Sequence, residues 1–138
     1  MKPLPHAVFT LFCSFSIAAC SVHGGELNLT ETAETIRITL RGKPVLEYVK
    51  KSRPVPQGIE EHFSRSGYIH PVFTPTGDQI TGDYPLDHPH QHGLFFAWTK
   101  SNYDGKKTDF WNQAKQLAGI EFREITNVSQ SESQVSFS

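Results

Sequence analysis

Three histidines at alternating positions, His88, His90 and His92, follow Asp87 and run directly into Gly93-Leu94-Phe95-Phe96-Ala97-Trp98. In an extended backbone, residues i, i+2 and i+4 point to one face, so the three imidazoles can converge with Asp87 beside them. Imidazole is the commonest side-chain metal ligand and the natural acid or base near neutral pH. Three arrangements fit these residues. The first is a divalent transition-metal site on His88, His90 and His92, with Asp87 as a fourth ligand or a partner to one of them. The second is a metal-free polar or acid/base site on Asp87, His88 and His90. In the third, Asp87 caps a loop, one histidine is hydrogen-bonded in the core and another is exposed.

Other residues can join this block. His70 comes near it if a hairpin returns from His70 toward residues 83–87; otherwise it is an edge-strand histidine bonded to backbone. Arg65 is a candidate anion or carboxylate clamp, or a solvated loop arginine. Trp98, Phe110 and Trp111 can stack on a sugar or another flat ligand, although aromatic residues beside strands are more often core. Asp109 and Asn112 place polar groups beside Trp111, an arrangement common in carbohydrate pockets. There is no glycine-rich phosphate loop, no nucleophile elbow and no Cys/His zinc spacing.

The elements that must hold these residues read as strands. Residues 35–40, Thr-Ile-Arg-Ile-Thr-Leu, alternate polar and apolar, and after the turn chemistry of Arg41-Gly42-Lys43-Pro44 residues 45–49 resume. Residues 68–73 and 79–81 flank Thr74-Pro75-Thr76-Gly77-Asp78, which predicts a second hairpin, and Pro71 confines its first strand to an edge or a bulge. Residues 94–98 are apolar without alternation, which predicts a central strand buried on both faces. Asp104-Gly105 predicts a tight hairpin linking 98–103 to 106–111. One helical turn is expected within 59–66 and another within 112–119. Residues 120–123 alternate again, and 135–138 begin an alternation at the end of the sequence. The fold class expected is all-β, an antiparallel β-sandwich of which these residues form an incomplete N-terminal part.

Composition narrows the partners. A chain of 138 residues with 37% hydrophobic and 12% aromatic content suits one packed domain. A net charge of −1 with scattered Lys and Arg gives no nucleic-acid footprint and no polybasic membrane patch. Lys2 and the apolar run 7–19 have the form of a signal peptide, too short to span a bilayer, which takes roughly 20 residues. Ile17-Ala18-Ala19-Cys20 resembles a bacterial lipobox. That implies a leader over 1–19, lipidation of Cys20, and a lipid-anchored protein of the bacterial outer membrane or periplasm. A polar tether over 20–34 then leads to a β domain over 35–138. Cys13 lies within the leader, so beyond Cys20 no thiol remains for a disulfide, a nucleophile or a metal.

Four blocks together carry a family resemblance: Arg65-Ser66-Gly67-Tyr68-Ile69-His70-Pro71, Thr74-Pro75-Thr76-Gly77, residues 83–98 from Asp83-Tyr84-Pro85 through the histidines to Trp98, and Asp109-Phe110-Trp111-Asn112. They resemble the bacterial PmoA family, labelled methane oxygenase PmoA. The resemblance implies an exported all-β sandwich from bacteria rich in polysaccharide-degrading genes, and a longer chain of which this is the N-terminal part. His90-Gln91-His92 stands where many members have His-His-Arg or His-Gln-Arg. Methane oxidation is not expected, because nothing beyond the leader is long and apolar enough to span a bilayer. The expected ligand is a carbohydrate-like small molecule, bound or acted on by histidine acid/base or metal-assisted chemistry. The alternatives are a non-catalytic sugar-binding module using Trp98 and Trp111, and a cupin-like metal oxygenase, since His-x-His before a strand is half of a cupin motif.

Overall fold

The computed structural model describes residues 26–138. The expected leader, Cys20 and the Gly24-Gly25 pair lie outside the described residues. The first strand, β1 (Leu27–Glu31), pairs antiparallel with β2 (Thr35–Leu40), which pairs antiparallel with β3 (Lys43–Val49). The expected tether over 20–34 is therefore corrected across 27–31. Leu27 and Leu29 alternate with Asn28 and Thr30, and Leu29 is buried opposite Ile38. Between β2 and β3, Arg41 and Gly42 have φ of 51° and 76°, the left-handed pair of a tight type I′ hairpin turn. The register slips between Ile38 and Thr39, which leaves Val45 as the extra residue of a bulge.

At the other edge of this four-stranded sheet lies β4 (Tyr68–Val72), next to β3. Pro71, which has no N–H to give, sits in this edge strand as expected. A bridge between Phe73 and Gln79 extends β4 into a short hairpin, closed by Thr74 N–H donating to Asp78 O at 2.8 Å. Two further hairpins follow, β5 (Ser101–Tyr103) with β6 (Lys106–Thr108), and β7 (Val128–Gln130) with β8 (Val135–Phe137). Asp104 and Gly105 turn the first of them at φ of 50° and 73°. Two 3₁₀ turns, Glu61–Phe63 and Gln113–Lys115, fall where single helical turns were expected. The described residues contain no α-helix, and none of their helices is long and apolar enough to cross a membrane. The chain is all-β, and every strand pairing among the described residues is antiparallel.

Pairing register divides the four-stranded sheet into two faces. Ile36, Ile38, Leu29 and Tyr48 share one, on which the rings of Phe122 and Phe137 lie 6.2 and 5.4 Å from Tyr48. Arg37, Glu47, Val49 and Tyr68 share the other. Ile36, Val49 and Tyr68 are at most 1% exposed, and burying an aliphatic side chain of this size contributes about 1.5–3 kcal/mol. The second face carries the buried polar groups described below.

Two expected strands are corrected. Residues 94–98 make no central strand. Leu94 alone bridges to Ile69, with N–H···O distances of 2.9 Å in both directions. Further on, Phe96 C=O accepts from Arg65, and Trp98 C=O from Phe110 N–H. Leu94, Phe96 and Trp98 are 56%, 65% and 61% exposed. An unbroken apolar run records hydrophobicity and not the presence of strands on both sides. Residues 120–123 alternate but form no ladder, because Phe122 N–H donates to the Ser66 hydroxyl at 2.8 Å.

Candidate functional site

The three histidines sit on a closed loop, not on an extended strand. Gly93 N–H donates to Gly82 O at 2.8 Å, Asp83 bridges His92, and Tyr84 N–H donates to Gln91 O at 3.2 Å. Above this base, His88 N–H donates to Pro85 O and Gln91 N–H to His88 O, two successive turns built around Pro85 and Pro89. Alternating orientation needs consecutive extended residues, so the expected convergence of His88, His90 and His92 is corrected. His88 and His90 occupy the tip, and His92 turns inward from the base.

His92 is 0% exposed. Its Nδ1 lies 2.7 Å from Asp83 Oδ1, while the Tyr68 hydroxyl donates to Asp83 Oδ2 at 2.8 Å. Its Nε2 lies 3.1 Å from Gln113 Oε1, and Gln113 Nε2 donates to the carbonyls of Phe63 (3.2 Å) and Ser64 (3.4 Å). With its amide nitrogen committed to two carbonyls, Gln113 turns its oxygen to His92. Both ring nitrogens thus face oxygen atoms of the network. Tyr68 and Tyr84 pack against the ring at 5.2 and 4.6 Å between centroids. Burial, and then Asp83, push the Tyr68 hydroxyl far above its ordinary pKa, so it remains a donor.

The tip continues into a strip of rings. His88 and His90 are 5.8 Å apart between centroids, His90 and Trp111 6.1 Å, and Trp111 and Phe95 5.4 Å. His88 and Trp111 are exposed, while His90 and Phe95 are half-buried. Asp87 Oδ2 lies 3.0 Å from His88 Nδ1, and that contact holds the carboxyl below its ordinary range. Burial, then the neighbouring His88 and His92, hold His90 below the usual imidazole range. It therefore stays neutral further into mild acid than a free imidazole.

The other expected site residues separate into distinct places. Asp109 is buried beneath Trp111. Its Oδ1 accepts from the N–H groups of Trp111 (3.3 Å) and Asn112 (2.9 Å), and its Oδ2 from Asn112 Nδ2 and Lys115 Nζ, each at 2.8 Å. Lys115, then the Asn112 N–H, hold its carboxyl far below the ordinary range. Asp109 and Asn112 thus shape the turn that presents Trp111. Arg65 is 3% exposed, lies 4.9 Å over the Phe95 ring, and donates weakly to Phe96 O at 3.4 Å. It is neither a solvated loop residue nor open to a ligand, and its Nε is buried without a partner among the described residues. Burial lowers its pKa.

His70 bonds elsewhere. The Thr81 hydroxyl accepts from Val72 N–H at 3.0 Å, which frees its proton for His70 Nδ1 at 3.0 Å. Burial lowers the His70 pKa, in keeping with a ring that accepts at Nδ1. Trp98 stacks edge-on with Phe96 at 4.9 Å and makes no ring contact with Trp111. Among the described residues, no three His, Cys, Asp or Glu side chains are placed to hold a metal ion, and both nitrogens of His92 are already engaged. The residues present do not fit the expected metal centre.

Sequence reasoning missed Asp83 and Gln113 as partners of His92. Gly82 and Gly93 at the base and Pro85 and Pro89 within it mark a closed loop, and that pattern pairs Asp83 with His92. For Gln113 the sequence carries no comparable mark.

Fold and site together define an all-β protein that displays a histidine–aromatic strip above a buried Asp–His–Gln network. Within that class, the chain belongs to a family of unknown function, DUF6807, whose model matches residues 35–138. No curated protein and no solved structure matches it.

Proposed function

We propose that this chain is an exported, lipid-anchored β-sandwich protein of the PmoA type that binds a carbohydrate-like small molecule on the strip formed by His88, His90, Trp111 and Phe95. The observation that carries this reading is the presentation of Trp111. An indole face next to the half-buried His90 ring, with the exposed His88 ring beyond it, offers an apolar platform and polar groups to one ligand, the combination that sugar recognition uses. The Asp109 turn fixes the backbone that carries the indole, and the Phe95 ring packs against it, which lowers the ordering cost of binding. If the ligand is also turned over, His90, held below the usual imidazole range by burial, is the base.

Titration of the full chain with a panel of neutral and charged oligosaccharides tests the reading. Trp111→Ala should weaken binding about tenfold or more, the scale of a lost aromatic platform. Equal affinity of wild type and Trp111→Ala for every ligand bound would remove the strip as the site. Binding retained in a His88→Ala/His90→Ala double variant would favour the non-catalytic module.

Export and anchoring rest on the 7–19 apolar run and the residues before Cys20. Wild-type chain expressed in a bacterium should take up labelled palmitate, and Cys20→Ala should not. An unlabelled wild type would end the anchor proposal.

A further inference from the structure

A cleft of about 790 Å³ lies away from the ring strip, on the Arg37–Glu47 face of the sheet. At its floor Glu47, 8% exposed, is gripped by two guanidiniums. Arg37 donates from Nε (3.0 Å) and Nη2 (2.7 Å) to Oε2, and Arg53 donates from Nη2 to Oε1. One carboxylate between two guanidiniums leaves +1 at the clamp, within a lining that is neutral overall once the Glu34–Lys51 pair and Glu61 are counted. It also fixes both planar forks, which lowers the side-chain ordering that binding would otherwise cost. Arg37 Nη1 and Arg53 Nε and Nη1 have no partner among the described residues. Two braced guanidiniums with free N–H edges suit one further carboxylate.

The remaining wall selects the rest of the ligand. Glu61 makes no ion pair and Ser52 no side-chain hydrogen bond among the described residues, and both line the cleft. A carboxylate beside the clamp repels a second negative charge on the ligand but accepts from hydroxyl groups. The cleft therefore asks for a molecule with one carboxylate and several hydroxyls, and its volume exceeds the need of a small organic acid, lying within the range of about 300–1,000 Å³ usual for ligand pockets.

We infer that the Arg37–Glu47–Arg53 cleft is a subsite for an acidic sugar, a hexuronate unit of an oligosaccharide. This names the ligand class for the carbohydrate reading above and rests on it. Calorimetric titration of the full chain with a hexuronate oligomer, its methyl ester and a neutral hexose oligomer of equal length tests it. The acid should bind about tenfold more tightly than the ester, the value of one charge-assisted hydrogen-bonded contact. Arg37→Gln and Arg53→Gln should each remove that advantage, with folding checked by thermal melting. Equal affinity for acid and ester overturns the subsite, and needs no variant to fold. An advantage that survives in both folded arginine variants also overturns it. If the neutral oligomer then binds with loss in Trp111→Ala, the subsite fails while the ring-strip reading stands. If none of the three binds, both fail.

Discussion

Replacing His92 with alanine should cost about 2–4 kcal/mol of folding stability, the scale of emptying a buried ring site and leaving two buried polar partners short of a hydrogen bond. The residue makes no contact with solvent, and its loss leaves the Asp83 carboxylate, 13% exposed, with Tyr68 as its one remaining side-chain donor. Gln113 Oε1 loses its donor as well, so the tie from the base of the loop to the Gln113–Lys115 turn is cut. Asp83→Asn should be milder, about 1–2 kcal/mol, because an amide can still accept from Tyr68 and keep a polar contact with His92. Denaturant unfolding of both variants measures the difference. A His92→Ala chain within about 1 kcal/mol of wild type would mean that the network does not hold the loop.

Gly93→Ala should be comparably damaging for a different reason. A Cβ at this position would stand 2.1 Å from Ile69 O and 2.8 Å from His70 Cβ, with φ at +37°. Ile69 O is the backbone acceptor for Leu94 N–H, so it cannot retreat without breaking the one bridge that ties 94–98 to β4. Overpacking against backbone costs about 1–3 kcal/mol, and left-handed φ adds about 1–2 kcal/mol for a residue with a Cβ. A loss of about 2–5 kcal/mol is expected on that basis, read as a lowered midpoint in chemical unfolding. The same substitution at Gly77, where a Cβ meets nothing within 4 Å, should cost less, since only the backbone strain at φ +99° remains. Equal losses at the two glycines would show that crowding at Ile69 is not the cause.

The β2–β3 and β5–β6 hairpins were legible because each carries a local signature, whereas β1 and β7 were not read as strands. Alternation in 35–40, the Arg41-Gly42 turn and the Asp104-Gly105 turn each fix a pairing within a few residues. The histidine block was legible as a location. Its geometry was not, since the direction of each ring depends on the two turns between Pro85 and Gln91 and on whether a distant acceptor exists for it. Gln113 supplies that acceptor from 21 residues away, and no local pattern points to it. Residues 94–98 and 120–123 fail for a related reason. Side-chain periodicity reports what a segment could bury, whereas a strand also needs a backbone partner, and theirs is taken by single bridges or side chains. Glu47, on a strand correctly expected, gave no sign in the sequence that Arg37 and Arg53 would meet there.

The loop from Gly82 to Gly93 divides its labour between base and tip, and this has a consequence for how such a protein diversifies. Everything that anchors the loop is spent at the base: the Asp83–His92 bridge, the Gln113 tie and the backbone contact of Gly93 with Ile69. Leu86 at the tip is 90% exposed, and Asp87 and His88 are exposed with it. Substitutions among residues 86–90 can change what the strip offers a ligand with little effect on folding. If the strip binds a ligand as proposed, its preference can be redirected by a library randomised at these positions while the fold beneath stays constant.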